Sequence, residues 1–253
     1  MKRKILAALL CALTVFAVFA GCSDKSGSSS KASSESEQSE PETKPEKKEP
    51  VDAAWFDDAV FVGDSVTLKL NYYCEETPEA LSNAQFFCGG SLGFTNALWD
   101  INEEGNVHPY YQGRVCLCQD CAKLTGAKKV FIRLGMNDIA LYGYDDTLKS
   151  ARTLVENILK ESPGVAVYIQ SVTPMIAEME DEELNNAVIR GFNEKLREFC
   201  ESIGYTYLDV YGQLADEDGN LKNEYCSDPD AQGKHFTDAA CAIWVEYLKE
   251  NVA

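Results

Sequence analysis

Histidine is scarce in this chain: there are two, His108 and His235, among 253 residues, so any imidazole base is one of them. Basic residues are also few, 23 Lys and Arg against 41 Asp and Glu, for a formal net charge of −18. Removal of Lys2, Arg3 and Lys4 with an export segment would make the remainder more acidic still. A surface of that sign argues against nucleic acid and anionic lipid headgroups as partners, although it names no substrate. No segment after the first 20 residues is long and apolar enough to span a membrane, which takes about 20 residues. No internal repeat is present, which leaves one contiguous domain.

The N-terminus reads as an address. Lys2, Arg3 and Lys4 precede an unbroken run of apolar and small residues from Ile5 to Ala20. Phe19-Ala20-Gly21-Cys22 then resembles a bacterial lipobox, in which the cysteine is lipidated and becomes the mature N-terminus. Residues 1–22 are therefore expected to be a lipoprotein signal ending at Cys22, and the protein to be lipid-anchored on the extracytoplasmic face of a membrane. Residues 23–50 are Ser, Glu, Lys and Pro with almost nothing apolar, the composition of a disordered tether. Its root-mean-square reach is about 30 Å. Residues 51–253 have the size of one α/β domain.

Beyond Cys11 and Cys22, eight cysteines remain: Cys74, Cys88, Cys116, Cys118, Cys121, Cys200, Cys226 and Cys241. An even count in an exported chain permits disulfides. Several of these cysteines lie in apolar runs, which favours buried free thiols. Cys116, Cys118 and Cys121 lack a fourth ligand at metal-binding spacing.

Short β-rich runs alternate with helical patterns. Strands are predicted at Ala59–Val62, Ala84–Cys88, Lys129–Leu134, Val165–Val172 and Tyr205–Val210. Val130-Phe131-Ile132 and Val165-Ala166-Val167-Tyr168-Ile169 are continuous rather than alternating, as in parallel strands buried on both faces. Helices are predicted at Thr147–Glu161, Glu183–Ile203 and Asp238–Asn251. The acidic run Glu178–Glu183 reads as a solvated helix start. Together these give a three-layer α/β/α sandwich on a five-stranded parallel sheet. Ligands bind such sheets at the carboxyl ends of the strands. Ser65, Gly93 and Asn137 follow the first three strands, and His235 lies in the loop before the last helix, so all four point to one rim.

A serine hydroxyl needs a base to take its proton and donors for the oxyanion it creates. Gly63-Asp64-Ser65, Gly135-Met136-Asn137-Asp138 and His235-Phe236-Thr237, with a looser block at Cys88–Thr95, resemble the GDSL or SGNH hydrolase family over the whole domain from Trp55. The resemblance implies a flavodoxin-like sheet, Ser65 as nucleophile and His235 as general base. It also implies an oxyanion hole made of the Ser65 N–H, the Gly93 N–H and the Asn137 side-chain amide, with no cofactor or metal. The family usually places an aspartate three residues before the histidine. Gln232 stands there in this chain, and Asp230 is favoured as the orienter of His235, with Asp228, Gln232 or a backbone carbonyl as alternatives.

A rival reading takes Gly89-Gly90-Ser91-Leu92-Gly93 as a G-x-S-x-G elbow, with Ser91 as nucleophile, Asp209 as orienter and His235 as base. It leaves the Gly-Asp-Ser and Gly-Met-Asn-Asp turns unexplained. His108 reads as a loop residue with a packing or surface role, Asp138 as a brace of its own turn, and Trp99, Tyr110, Tyr111, Tyr142 and Tyr144 as either core or a sugar-stacking wall. The expected function is hydrolysis of O-acetyl or short acyl esters on carbohydrate by a monomer that touches the membrane only through its anchor. The alternatives are a lysophospholipase-type acylhydrolase and a non-catalytic carbohydrate- or surface-binding lipoprotein.

Overall fold

The computed structural model of the chain describes residues 49–253; the export segment, Cys22 and all but the last two tether residues lie outside the described residues. In chain order the elements are β1 (Ala59–Gly63), α1 (Ser65–Glu76), β2 (Gln85–Cys88), β3 (Tyr110–Tyr111), β4 (Arg114–Val115), α2 (Cys121–Thr125), β5 (Lys129–Arg133), α3 (Ile139–Glu161), β6 (Ala166–Gln170), α4 (Asn186–Ile203), β7 (Thr206–Leu208), α5 (Val210–Leu214) and α6 (Asp238–Asn251). Five strands form one parallel sheet in the order β2-β1-β5-β6-β7. The other two, β3 and β4, make a small antiparallel hairpin. The hairpin leans on β2, where the Tyr111 and Phe87 ring centroids are 4.7 Å apart and the Tyr111 hydroxyl donates to Gln85 Oε1 at 3.2 Å.

The pleat divides each continuous apolar run between two cores. Val60, Val62, Val130, Ile132, Val167 and Ile169 face one side, where they pack with buried residues of α2, α3 and α4. Ala59, Phe61 and Phe131 face the other, with α1, α5 and α6. On that second face parallel register places aromatics directly opposite one another, Phe86 beside Phe61, Phe61 beside Phe131, and Phe131 beside Tyr168. Their rings stack at centroid distances of 5.2, 4.6 and 4.5 Å, giving a ladder across four strands. Such pairs stabilise beyond the area they bury.

Two helices depart from the periodicity, for local reasons. α3 begins at Ile139 rather than Thr147, because Gly143 (φ 70°, ψ −179°) breaks the helical path and only the segment beyond it carries a regular apolar stripe. α4 begins at Asn186 rather than Glu183. The Asp181 carboxylate takes the N–H groups of Glu183 (2.8 Å) and Leu184 (2.6 Å) into a turn, and Asn185 caps the helix by accepting from Val188 N–H. All eight cysteines of the described residues are free thiols. Burial pushes the Cys74, Cys121, Cys200 and Cys241 thiols up to about 12, so they behave as small apolar groups. Among the described residues no helix is long and apolar enough to cross a membrane.

Phe131 is fully buried at the centre of the ring ladder. Phe131→Ala is expected to lower the unfolding free energy by about 3–5 kcal/mol in urea titrations. A loss below about 1 kcal/mol would show that the ladder carries little of the fold.

Candidate active site

β1 ends in a turn that only a residue without a side chain can make here, since a Cβ at Gly63 would lie 2.0 Å from Thr67 Oγ1. Asp64 follows in extended conformation and caps α1, its Oδ1 accepting from Val66 N–H at 2.9 Å. Ser65 is thus the first residue of α1, and its own N–H has no partner among the described residues. Beneath the turn, the guanidinium of Arg133, at the end of β5, donates to Asp64 Oδ1 and to Thr173 Oγ1 (2.6 Å). Arg133 and Asp64 are each 1% exposed, a fully buried ion pair. The Trp244 ring centroid lies 6.0 Å from the guanidinium carbon.

His235 reaches Ser65 from the far end of the chain: its Nε2 is 2.9 Å from Ser65 Oγ. Its Nδ1 is 2.7 Å from Asp228 Oδ2, and its backbone N–H donates to Asp228 Oδ1 at 3.0 Å. Asp228, not Asp230, is therefore the carboxylate on the imidazole. Asp230 and Gln232 are exposed, and the two ring nitrogens are met by Ser65 and Asp228. The loop reverses on itself around Asp228, whose carboxylate also accepts from the backbone N–H groups of Gln232 (3.3 Å) and Lys234 (3.2 Å). The ends of the loop are held together by Ser227 N–H on the His235 carbonyl (2.8 Å) and Thr237 N–H on the Tyr225 carbonyl (2.9 Å). Burial alone would raise the Asp228 carboxyl, but the hydrogen bonds from the His235 ring and backbone bring it below the usual carboxylate range.

The loop after β2 starts beside the end of β1, where Gly89 N–H donates to the Gly63 carbonyl at 3.1 Å. Asp138 braces that loop rather than its own turn, its Oδ2 accepting from Phe94 N–H (2.8 Å) and its Oδ1 from Thr95 N–H (2.9 Å). Gly93 is where the chain passes closest, for a Cβ there would sit 2.4 Å from Asp138 Oδ2. The Gly93 N–H, expected to be free for an oxyanion, donates to Asn96 Oδ1 at 2.7 Å. Asn137 donates one Nδ2 hydrogen to the Leu92 carbonyl at 3.0 Å, which leaves its second hydrogen for a ligand.

The rival constellation does not assemble. Ser91 is exposed, with φ 60°, on a turn that opens no α-helix. Asp209 caps α5 at Gly212 and faces Arg197. His108 is buried in a loop with Nε2 3.0 Å from the Trp99 carbonyl. The aromatics divide: Tyr144 donates to the Val188 carbonyl and Tyr111 packs on Phe87, whereas Trp99, Tyr110 and Tyr142 stand exposed. Sequence reasoning did not single out Arg133 or Asn96. An arginine inside the otherwise apolar run Val130–Leu134 was the available signal for the first.

The family model described as GDSL-like Lipase/Acylhydrolase family matches residues 61–243. Among solved structures the chain is similar to a GDSL-like lipase from Bacteroides thetaiotaomicron VPI-5482 (15% identity, covering 77% of this chain and 87% of that chain, TM-score 0.58). It is also similar to the periplasmic domain of a lipopolysaccharide acetyltransferase from Salmonella ser. Paratyphi A (12%, 77% and 83%, TM-score 0.52). A third is a carbohydrate esterase family 3 protein from Talaromyces cellulolyticus (13%, 77% and 95%, TM-score 0.50). At these identities the likeness shows the fold. No curated protein matches the sequence.

Arg133→Met would leave a buried carboxylate without its cation and is expected to destabilise by about 3–5 kcal/mol, with Asp64→Asn added to it restoring part of the loss. Urea titration of the single and double variants at pH 7 measures both. The Asp228 carboxyl lies below its unfolded value, about 3.9, so its ionised form contributes stability that is present above that pH. That contribution is lost as pH falls through the lower folded pKa. Asp228→Asn is expected to flatten the acid limb of a stability profile below about pH 4, and an unchanged limb would contradict this.

Proposed function

The chain belongs to the GDSL-like lipase/acylhydrolase family, and on that premise we propose that it is a serine ester hydrolase with Ser65 as nucleophile, His235 as base and Asp228 as orienter. The observation that carries this reading is the continuous chain of hydrogen bonds from Ser65 Oγ to His235 Nε2 (2.9 Å) and from His235 Nδ1 to Asp228 Oδ2 (2.7 Å).

Ser65 Oγ attacks the ester carbonyl while its proton passes to Nε2. Asp228 keeps the proton on Nδ1 and stabilises the imidazolium as it forms. The carbonyl oxygen becomes an oxyanion, for which the Ser65 N–H and the free Asn137 Nδ2 hydrogen are donors; the Gly93 N–H joins them only when released from Asn96 Oδ1. As the tetrahedral intermediate collapses, the ester C–O bond breaks and His235 gives its proton to the departing alcohol. Water then adds to the acyl-Ser65 ester with His235 again as base, releasing the acid and restoring the serine.

For the substrate we favour an O-acetyl or short acyl group on a neutral carbohydrate. A chain this acidic repels anionic phospholipid surfaces, and Trp99, Tyr110 and Tyr142 are exposed aromatic faces of the kind that sugars stack on. In the same reading Cys22 carries the lipid anchor and the domain works as a monomer outside the cytoplasm. Acyl release exclusively from lysophospholipids, with none from acetylated glycans, would overturn the substrate assignment.

The purified protein is expected to hydrolyse a chromogenic acetyl ester and to be covalently labelled at Ser65 by a fluorophosphonate. Ser65→Ala should abolish both, and Asp228→Asn should lower turnover by up to about 10⁴-fold. Asp230→Asn and Ser91→Ala should retain activity. An unlabelled Ser65 would leave a binding protein on the hydrolase fold.

A further inference from the structure

We propose that Asn96 gates the oxyanion pocket: in the free protein its side-chain oxygen occupies the Gly93 N–H, and that donor turns to the reacting ester only as negative charge develops there. The inference rests on the catalytic reading of Ser65 and deepens it.

A backbone N–H has one proton, and at 2.7 Å the bond from Gly93 to Asn96 Oδ1 commits it. Gly93 is the fixed partner. The two residues after it are tied through their N–H groups to the buried Asp138 carboxylate, which also lies against Gly93 itself. Asn96 is the movable one. Its side chain is half-exposed, and its Nδ2 is anchored to the carbonyl of Ser91, an exposed residue in the left-handed region at φ 60°. Rotation of this one part-buried amide, which gives up its bonds to Gly93 and to the Ser91 carbonyl together, frees the Gly93 N–H without moving the loop.

The amide oxygen of Asn96 is neutral, as is the carbonyl oxygen of an ester in the ground state, so the two compete on nearly equal terms. An oxyanion accepts a charge-assisted bond about twice as strong. The exchange is thus driven in the transition state rather than on substrate binding, which directs the Gly93 donor to the rate of acylation. Asn137 is held to the same loop through the Leu92 carbonyl, so both donors are set by one short segment.

The test is phosphonylation of Ser65 by a fluorophosphonate, whose tetrahedral phosphorus mimics the acylation step. The Oγ–P bond forms, the P–F bond breaks, fluoride leaves, the serine proton goes to His235, and the phosphoryl oxygen takes the oxyanion position. Asn96→Ala removes the competitor and is expected to raise the inactivation rate and kcat/KM for an acetyl ester by about five-fold, the size of one net hydrogen bond. Asn96→Asp keeps a stronger, charged acceptor on Gly93 and is expected to lower both. Opposite signs separate gating from support of the loop, for which both variants would be slower. An Asn96→Ala protein that is slower than or equal to wild type overturns the proposal. Should that variant not fold, a structure of the wild-type phosphonylated protein decides. Gly93 N within about 3.1 Å of the phosphoryl oxygen, with Asn96 withdrawn, supports the gate, and an intact Gly93–Asn96 bond overturns it. Failure of the wild-type protein to be labelled at Ser65 overturns the catalytic reading and this inference with it, whereas labelling with the bond intact overturns the gate alone.

Discussion

The turn that carries Ser65 rests on an ion pair. Arg133 and Asp64 meet in a space closed to solvent, where taking two charges out of water costs about as much as their attraction returns. Their value is geometric. A guanidinium is a planar fork with fixed donor directions, and this one binds a residue just after β1 and a residue beyond β6 while itself ending β5. Three neighbouring strand ends are thereby held in register at the point where Ser65 leaves the sheet. The serine's position follows from a salt link made by its neighbours, in which it takes no part.

The same device recurs above the floor. Asp138 holds the loop after β2 by two backbone N–H groups, and Asp228 holds its own loop by three while meeting the imidazole with its remaining capacity. Loops carry the working groups in such folds because a rigid sheet positions them. Here each loop is in turn shaped by a carboxylate that accepts backbone hydrogen bonds. Only Asp228 combines that task with contact to the histidine.

The sheet was legible because burial on both faces leaves an unmistakable pattern: runs such as Val130-Phe131-Ile132 have no polar positions to alternate with. The parallel sheet, and a rim where Ser65 meets His235, followed from that. What the sequence left open, such as the choice of Asp228 over the favoured Asp230, was set by loop conformation. Asp228 lies seven residues before His235, a separation at which nothing periodic links two side chains, and only the folded hairpin brings them together. Asp230 and Gln232 were nearer in sequence and point to solvent. Asn96 was hidden for the same reason, since an Asn three residues after a glycine is common loop composition until the bond between them is seen. The helix starts were missed where one local feature, the Gly143 backbone or the Asp181 carboxylate, overrode the local pattern.

The two margins of the sheet bear on how copies of this protein meet. A strand with one unpaired side offers amides and carbonyls to any extended chain that drifts by. β7 is three residues long and β2 four, and the β3–β4 hairpin packs Tyr111 against Gln85 and Phe87 of β2. Neither border offers a long, flat ladder on which a neighbour could lay another strand. A protein built this way can be crowded at high density without its sheets growing into one another.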